Sequence, residues 1–258
     1  MKSLDTTPCD VGFRQFAAEC QADAEGSQRH GQLYLSVCID RLYATFRLCA
    51  GYVPPGARVL SAGAGGAYVE KQLQRHCGAE VTVLDFPEAV AAHAGDYARH
   101  QFHAVGVDLA TAWRLEGPPS FDLALSLEVM EHLPVAPHDH VQALARYVRP
   151  GGHLLVSTPN LARLSNVVRL LAGRRILEDA RLVFRPTAYA QEHVHRREYM
   201  AAEIVAAFDA AGLVPRRIVY GLFLGRHRRR PVARLWRLAA CLHPPLGNTL
   251  LLVAQKPW

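Results

Sequence analysis

The sequence predicts an α/β protein built on a mostly parallel sheet. Three observations predict it. Short apolar runs with strand character alternate with helical patterns from Val59 to Ser157. A small-residue turn, Ser61-Ala62-Gly63-Ala64-Gly65-Gly66-Ala67, joins the first of these runs to a helical pattern. The runs are continuously apolar, as expected of strands covered on both faces by helices.

Taken in order, residues 1–56 read as a helical cap. Phe13, Phe16, Ala17 and Cys20 share a helical face, as do Val37, Leu42, Phe46 and Cys49, and Pro54-Pro55-Gly56 stops the segment. Residues 57–258 form the main domain. Val59–Leu60 is its first strand, and Tyr68 opens a helix with Val69, Leu73 and Cys77 about one turn apart. Glu80–Asp85, His103–Asp108, Phe121–Ser126 and His153–Ser157 are the next four strands, the last approached through Pro150-Gly151-Gly152. Helices are expected over Glu88–Arg99 and Asp139–Val148, and an amphipathic one over Arg197–Ala211, ended by Gly212. Pro215–Tyr220 and Thr249–Ala254 are the sixth and seventh strands, with a basic insertion, 226–247, between them.

Composition bounds the function. Hydrophobic residues at 50% and charged residues at 20% describe a folded globular chain, not a disordered one. The net charge of +6 is concentrated late, in Arg226, Arg228, Arg229, Arg230, Arg234 and Arg237. This run is read first as a solvated basic face. Its interleaved Leu235, Trp236, Leu238 and Leu242 also suit a substrate lid, a partner contact or a peripheral contact with anionic lipid. No nucleic-acid module is visible, so neither DNA nor RNA is expected as a partner. The six cysteines contain no C-x-x-C pair, and no signal peptide is visible. A cytoplasmic protein with free thiols is expected.

The glycine turn is the first chemical candidate. Gly63 and Gly65 can take φ > 0 and let a ligand approach the backbone, while the following helix start offers free N–H groups to an anionic group. Asp85 stands at a strand end about 20 residues on, where a ribose-binding acid belongs. Phe121-Asp122-Leu123-Ala124-Leu125-Ser126-Leu127-Glu128-Val129-Met130-Glu131-His132-Leu133 and Leu144-Ala145-Arg146-Tyr147-Val148-Arg149-Pro150-Gly151-Gly152-His153-Leu154-Leu155-Val156-Ser157-Thr158-Pro159-Asn160 are two further signatures. In this order and spacing, the chain resembles class I S-adenosylmethionine-dependent methyltransferases over roughly residues 55–255. Its strand-four segment looks like that of the ubiquinone-biosynthesis O-methyltransferase-like branch.

The resemblance implies a Rossmann-like three-layer sandwich with a seven-stranded sheet whose last strand is antiparallel. It implies S-adenosylmethionine as cofactor, with Gly63, Ala64 and Gly65 under the methionine part and Asp85 on the ribose hydroxyls. Phe86 would pack on adenine or be an ordinary core aromatic, Asp108 and Leu109 would meet the adenine amino group unless Asp108 caps the next turn, and Leu127 and Glu128 would lie beside the methyl group. The family usually carries an acid where this chain has Ser61, which brings no charge. Restoring one, Ser61→Asp, is therefore expected to tighten cofactor binding.

Three readings of Glu128, Glu131 and His132 stay open. If the segment is helical, the three face one way. Glu131 or His132 then serves as a general base on a substrate hydroxyl. Alternatively Glu128, Glu131, His132 and His193 or His195 hold a divalent metal, which is not the favoured cofactor. In the third reading Glu131 and His132 only fix the turn. His138-Asp139-His140 is read as a solvated helix start capped by Asp139, not a metal cluster. The expected activity is methyl transfer to a small molecule, at an oxygen atom. The alternatives are a methyltransferase-like binding module without turnover, motivated by Ser61, and a nicotinamide-dependent dehydrogenase. The last is disfavoured because no tyrosine is followed four positions later by lysine.

Overall fold

A computed structural model describes residues 11–25, 29–184, 194–225 and 232–258. Expectations that rest on His193, Arg226 and Arg228–Arg230 fall outside them. Two helices lead the chain, α1 (Phe13–Glu25) and α2 (Arg29–Ala50). Then β1 (Arg58–Ala62), α3 (Tyr68–Cys77), β2 (Glu80–Asp85), α4 (Pro87–Arg99), β3 (His103–Gly106) and β4 (Phe121–Leu127) alternate. They are followed by α5 (Pro137–Ala145), β5 (Val148–Pro159), α6 (Leu164–Leu171), α7 (Ala180–Phe184) and α8 (Ala201–Ala210). The chain closes with β6 (Val214–Gly221), α9 (Val232–Leu242) and β7 (Thr249–Gln255).

The seven strands lie in the order β3-β2-β1-β4-β5-β7-β6. β1 through β5 pair in parallel, and β7 inserts antiparallel between β5 and β6. The strand order therefore reverses between β1 and β4, and open α/β sheets hold ligands in the crevice at such a point. The sheet is buried on both faces. One face packs Phe16, Phe46, Leu73 and Tyr97 of α1 to α4 against Val83 and Leu125. The other packs Val141, Leu144, Ile204 and Phe208 of α5 and α8 against Leu154 and Leu252. This is the three-layer sandwich expected from the continuous apolar strands.

Several local expectations need correction. β5 begins at Val148, so Pro150-Gly151-Gly152 lies within the strand. The irregular register between Phe121 and Leu123 absorbs it. The helix expected from Arg197 starts at Ala201, because residues 194–197 are tied to the turn after β4 instead. Cys77 is disulfide-bonded rather than free, while Cys20, Cys38, Cys49 and Cys241 are free thiols. Among the described residues, no helix is long and apolar enough to cross a membrane.

His140 is not at a solvated helix start. Ala136 caps α5 with no side-chain bond, Pro137 takes the first helical position, and only His138 and Asp139 face water. His140 turns inward, with its Nε2 2.9 Å from Ser126 Oγ and its Nδ1 without a partner. Burial depresses its pKa to about 4. The unfolded chain binds this proton near pH 6.5, so the contribution is whole above that pH and is lost as pH falls through the folded value. Full protonation costs roughly 3 kcal/mol. Chemical denaturation should therefore show wild-type stability falling between about pH 6.5 and pH 4. His140→Gln should flatten that slope, and an unchanged slope would contradict this account.

Candidate active site

The carboxyl ends of β1 and β4 carry the two turns that build the site. Gly63 takes φ 67° and donates its N–H to Leu84 O at 2.7 Å, which ties the turn to β2. A Cβ on Gly63 would lie 2.7 Å from Val129 Cγ2, so only glycine lets the two turns touch. Gly65 takes φ 50°, and a Cβ there would meet nothing within 4 Å. Its N–H goes to Asp85 Oδ2 at 3.0 Å and its carbonyl accepts from Tyr97 Oη at 2.6 Å. The turn is thus held by its side and presents an open backbone face to the cavity. Behind it, Ser61 Oγ donates to Glu70 Oε1 at 2.6 Å, and both residues are buried. Burial pushes the Glu70 carboxyl up, and the Ser61 bond only partly offsets it.

The segment after β4 is not helical. Glu128 sits in the left-handed region at φ 57°, and two tight turns follow, His132 N–H to Val129 O and Leu133 N–H to Met130 O. This separates the side chains expected on one helical face. The Glu128 carboxylate pairs with Arg41 of α2 and accepts from Ser157 Oγ at 2.8 Å. Glu131 points into the protein, where Thr158 Oγ1 donates to its Oε2 at 3.0 Å and its Oε1 has no partner. Burial first, then the charge of Glu128, raises the Glu131 pKa well above the carboxylate range.

His132 Nδ1 lies 3.1 Å from Val194 O, the geometry of a donated N–H. Its Nε2 is 3.9 Å from Glu131 Oε1. His195 packs edge-on against His132 at 4.9 Å between ring centres, with its own Nδ1 3.4 Å from Glu198 Oε1. Glu131, His132 and His195 each offer one donor atom within 4.8 Å of the others, a set a metal ion could use. Glu198 pairs with Arg163 and accepts from Asn166; burial opposes ionisation, but the bonds from His195 and Arg163 outweigh it and hold the carboxyl low.

These groups line a cavity of about 1350 Å³. α2 roofs it with Tyr34, Arg41 and Leu42, and Tyr34 stacks on Tyr68 with ring centres 6.2 Å apart. Trp236 of α9, Leu164 of α6, and Leu222 and Leu246 add apolar wall. Of the residues expected at the cofactor, Gly63, Ala64, Gly65, Leu127 and Glu128 line the cavity. Ser61 reaches its edge through Glu70.

The residues expected at the nucleoside lie apart from this lining, along the β2–β3 end. The two Asp85 oxygens accept from Gly65 and Phe86 N–H, Phe86 is 41% exposed, and Leu109 is buried in the core. Asp108 Oδ1 takes the Ala110 N–H at 2.8 Å in a local turn. The expected metal set is corrected in one member, because Glu128 is drawn away by Arg41. His195 fills the histidine place, whereas His193 is outside the described residues. Sequence reasoning missed Arg41, Glu70, Arg163 and Glu198. None stands in a motif, and each becomes visible only through its partner.

Comparison with known proteins agrees with this geometry. A family model described as a methyltransferase domain matches residues 33–217. The chain belongs to that family. The match begins inside α2 and runs into β6, so it includes both site turns. A ubiquinone biosynthesis O-methyltransferase of Alkalilimnicola ehrlichii is 33% identical over 131 residues, 48% of this chain and 50% of that one. A protein of the same name from Xanthomonas oryzae pv. oryzae is 29% identical over 213 residues, 76% of this chain and 82% of that one. The chain thus spans half the length of the first relative and most of the second. Phosphoethanolamine N-methyltransferase 2 of Haemonchus contortus, solved with S-adenosyl-L-methionine, superimposes with a TM-score of 0.60 at 17% identity. That likeness covers 96% of this chain and 60% of the other and supports the fold. The chain carries a methyltransferase domain, as the four sequence signatures implied.

Glu131 supplies a direct check of the site electrostatics. Its folded pKa is raised, so stability is unaffected at acid pH, where both states hold the proton. It falls as pH rises through the ordinary carboxylate range, where only the unfolded chain ionises. Glu131→Gln removes that slope and keeps the Thr158 bond. Thermal unfolding should give the variant a Tm about 2–4 °C above wild type near neutral pH, with the gap closing at acid pH. A Tm below wild type at neutral pH would show that Glu131 is ionised in the folded state.

Proposed function

We propose that this chain transfers a methyl group from S-adenosylmethionine to a hydroxyl of a small molecule. The observation that carries the proposal is the juxtaposition, in one cavity, of the open glycine turn and the Glu131–His132 pair. The curated relatives carry an O-methyltransferase name, which supports oxygen as the acceptor atom. The fit to the cofactor rests on the open backbone at Gly65 and the buried carboxyl of Glu70 on the same wall.

Within this reading, Gly63, Ala64 and Gly65 carry the methionine part, and Asp85, Phe86, Asp108 and Leu109 carry the nucleoside. Leu127 and Glu128 close the methyl end. Segment 1–56 acts as a cap over domain 57–258, supported by Tyr34, Arg41 and Leu42 on the cavity wall. When bound, S-adenosylmethionine supplies a methyl group on a cationic sulfur; the acceptor oxygen bonds the methyl carbon as the carbon–sulfur bond breaks and its electron pair returns to sulfur. His132 Nε2, 3.9 Å from Glu131 Oε1, takes the hydroxyl proton. The walls from α2, α6 and α9 orient the acceptor and exclude water, which is most of what methyl transfer requires.

The expected outcome is tight binding of S-adenosylmethionine and methylation of phenolic or catecholic test acceptors. His132→Ala should lower kcat by about 100-fold or more with little change in cofactor Kd. Calorimetry with no binding of S-adenosylmethionine at millimolar concentration would overturn the reading. Binding without transfer to any acceptor would favour a binding module.

One observation favours a second reading of the same residues. Glu131 Oε1 is buried without a partner beside two histidines whose other nitrogens meet Val194 O and Glu198, the orientation metal-bound histidines usually have. Glu131, His132 and His195 would hold a divalent ion, which would lower the pKa of an acceptor hydroxyl. Elemental analysis and chelation decide between the two: activity that survives thorough chelation assigns the proton to His132 alone.

The reading also includes a peripheral lipid contact. Leu235, Leu238 and Leu242 of α9 and Val168, Leu170 and Leu171 of the adjoining α6 are all more than half exposed. Exposed Arg234 and Arg237 flank them. Such a surface suits anionic lipid headgroups. Sedimentation with phosphatidylglycerol vesicles should pellet the protein, and Leu238→Asp/Leu242→Asp should release it. Equal recovery with uncharged phosphatidylcholine would remove the role of the arginines.

A further inference from the structure

Glu70 is a buried acid in search of a cation. It occupies the third position of α3, is 2% exposed, and stands on the wall of the cavity beside the glycine turn. One carboxyl oxygen accepts the Ser61 hydroxyl at 2.6 Å. Its neighbour Lys71 pairs with Asp96 and acts on Glu70 only through its charge at longer range, and among the described residues no ion pair reaches Glu70. Of the other acids on this wall, only Glu131 also lacks a lysine or arginine partner among the described residues. Glu128 has Arg41, and Glu198 has Arg163. Burying a carboxyl without a cation is costly unless a ligand brings one.

We propose that Glu70, oriented by Ser61, binds the α-ammonium group of the methionine part of S-adenosylmethionine, supplying from α3 the negative charge that position 61 at the end of β1 lacks. This rests on the cofactor reading above and extends it to a residue that no motif marks. The geometry has two sides. Ser61 Oγ donates to Oε1, which orients the carboxyl, a backbone N–H also favours its charged form, and the residue still lines the cavity. The glycine turn, two to five residues after Ser61, holds the ligand main chain within reach of that carboxyl. The sulfonium belongs at the other turn, beside the acceptor, so the ammonium is the cation that falls to Glu70. The expectation that Ser61→Asp tightens binding is thereby reversed. A new carboxylate at 61 would face Glu70 at hydrogen-bond distance, and the two would share one proton and gain no net charge.

The test is calorimetric titration of S-adenosylhomocysteine and of 5′-methylthioadenosine, which lacks the amino-acid part, into the full chain. Glu70→Gln should weaken S-adenosylhomocysteine about 10- to 100-fold, the range for losing a charge-assisted bond. 5′-Methylthioadenosine should change by less than about threefold, which also certifies that the variant is folded. Glu70→Ser should lose the same discrimination, and Ser61→Asp/Glu70→Ser should regain most of it by returning the acid to β1. Equal weakening of both ligands in Glu70→Gln, or no rescue in the double variant, would overturn the proposal and leave Glu70 a structural residue. If wild type binds neither ligand, the cofactor reading falls and this proposal falls with it; wild type that binds both tightly keeps the two questions separate.

Discussion

The contact between Gly63 and Val129 holds the site together. It joins the turn after β1 to the turn after β4, at the place where the strand order reverses. No Cβ fits there, since one would come within 2.7 Å of a valine methyl. The left-handed φ at Gly63 aims the chain into the crevice, and the hydrogen bond from its N–H to Leu84 O anchors it to β2. These two turns place the open amide face of Gly65, Glu70 behind it, and Glu131 and His132 opposite. A shift of either turn would move the halves of the site apart.

The charges around the cavity are arranged with the same economy. Six acids stand on its wall, and Asp23 and Asp96 pair with Arg75 and Lys71, which leaves four. Two are matched by arginines from elements remote in sequence, Arg41 on Glu128 and Arg163 on Glu198. Those pairs tie the cap helix α2 and the loop after β5 to the rim. The other two, Glu70 and Glu131, are buried with raised pKa values and no arginine. Buried acids in that state are where a protein keeps binding or catalytic capacity, because the environment that disfavours their charge also strengthens any interaction that restores it. Glu128 contributes from both sides. It holds Arg41, and its own charge raises the Glu131 pKa.

Much of this was legible in the residues themselves. Continuous apolar strands, glycine punctuation and helical periodicity are local signals, so the strand count, their order along the chain and the position of both site turns could be read directly. Strand and helix ends moved by a few residues, as at Ala201, where tertiary hydrogen bonds to Glu131 O compete with helix formation. His140 is the instructive miss. Its neighbours Pro137 and Asp139 look like a wet helix start, but one helical position later the side chain points at the sheet and becomes core.

The sequence by itself determined the α/β class, the family resemblance and the pairing of a glycine turn with a Glu-x-x-Glu-His segment. Periodicity and motif spacing are properties of contiguous chain. Only the tertiary structure decided which acids are neutralised, because a carboxylate's partner is chosen by distance in space. It parted Glu128 from Glu131, since a left-handed residue broke the helix that would have aligned them. It brought His195 to His132 across 62 intervening positions, through the Val194 carbonyl that accepts from the His132 ring. And it set Glu70 beside Ser61, where a carboxyl on the first turn of one helix reaches back over the end of the strand before it.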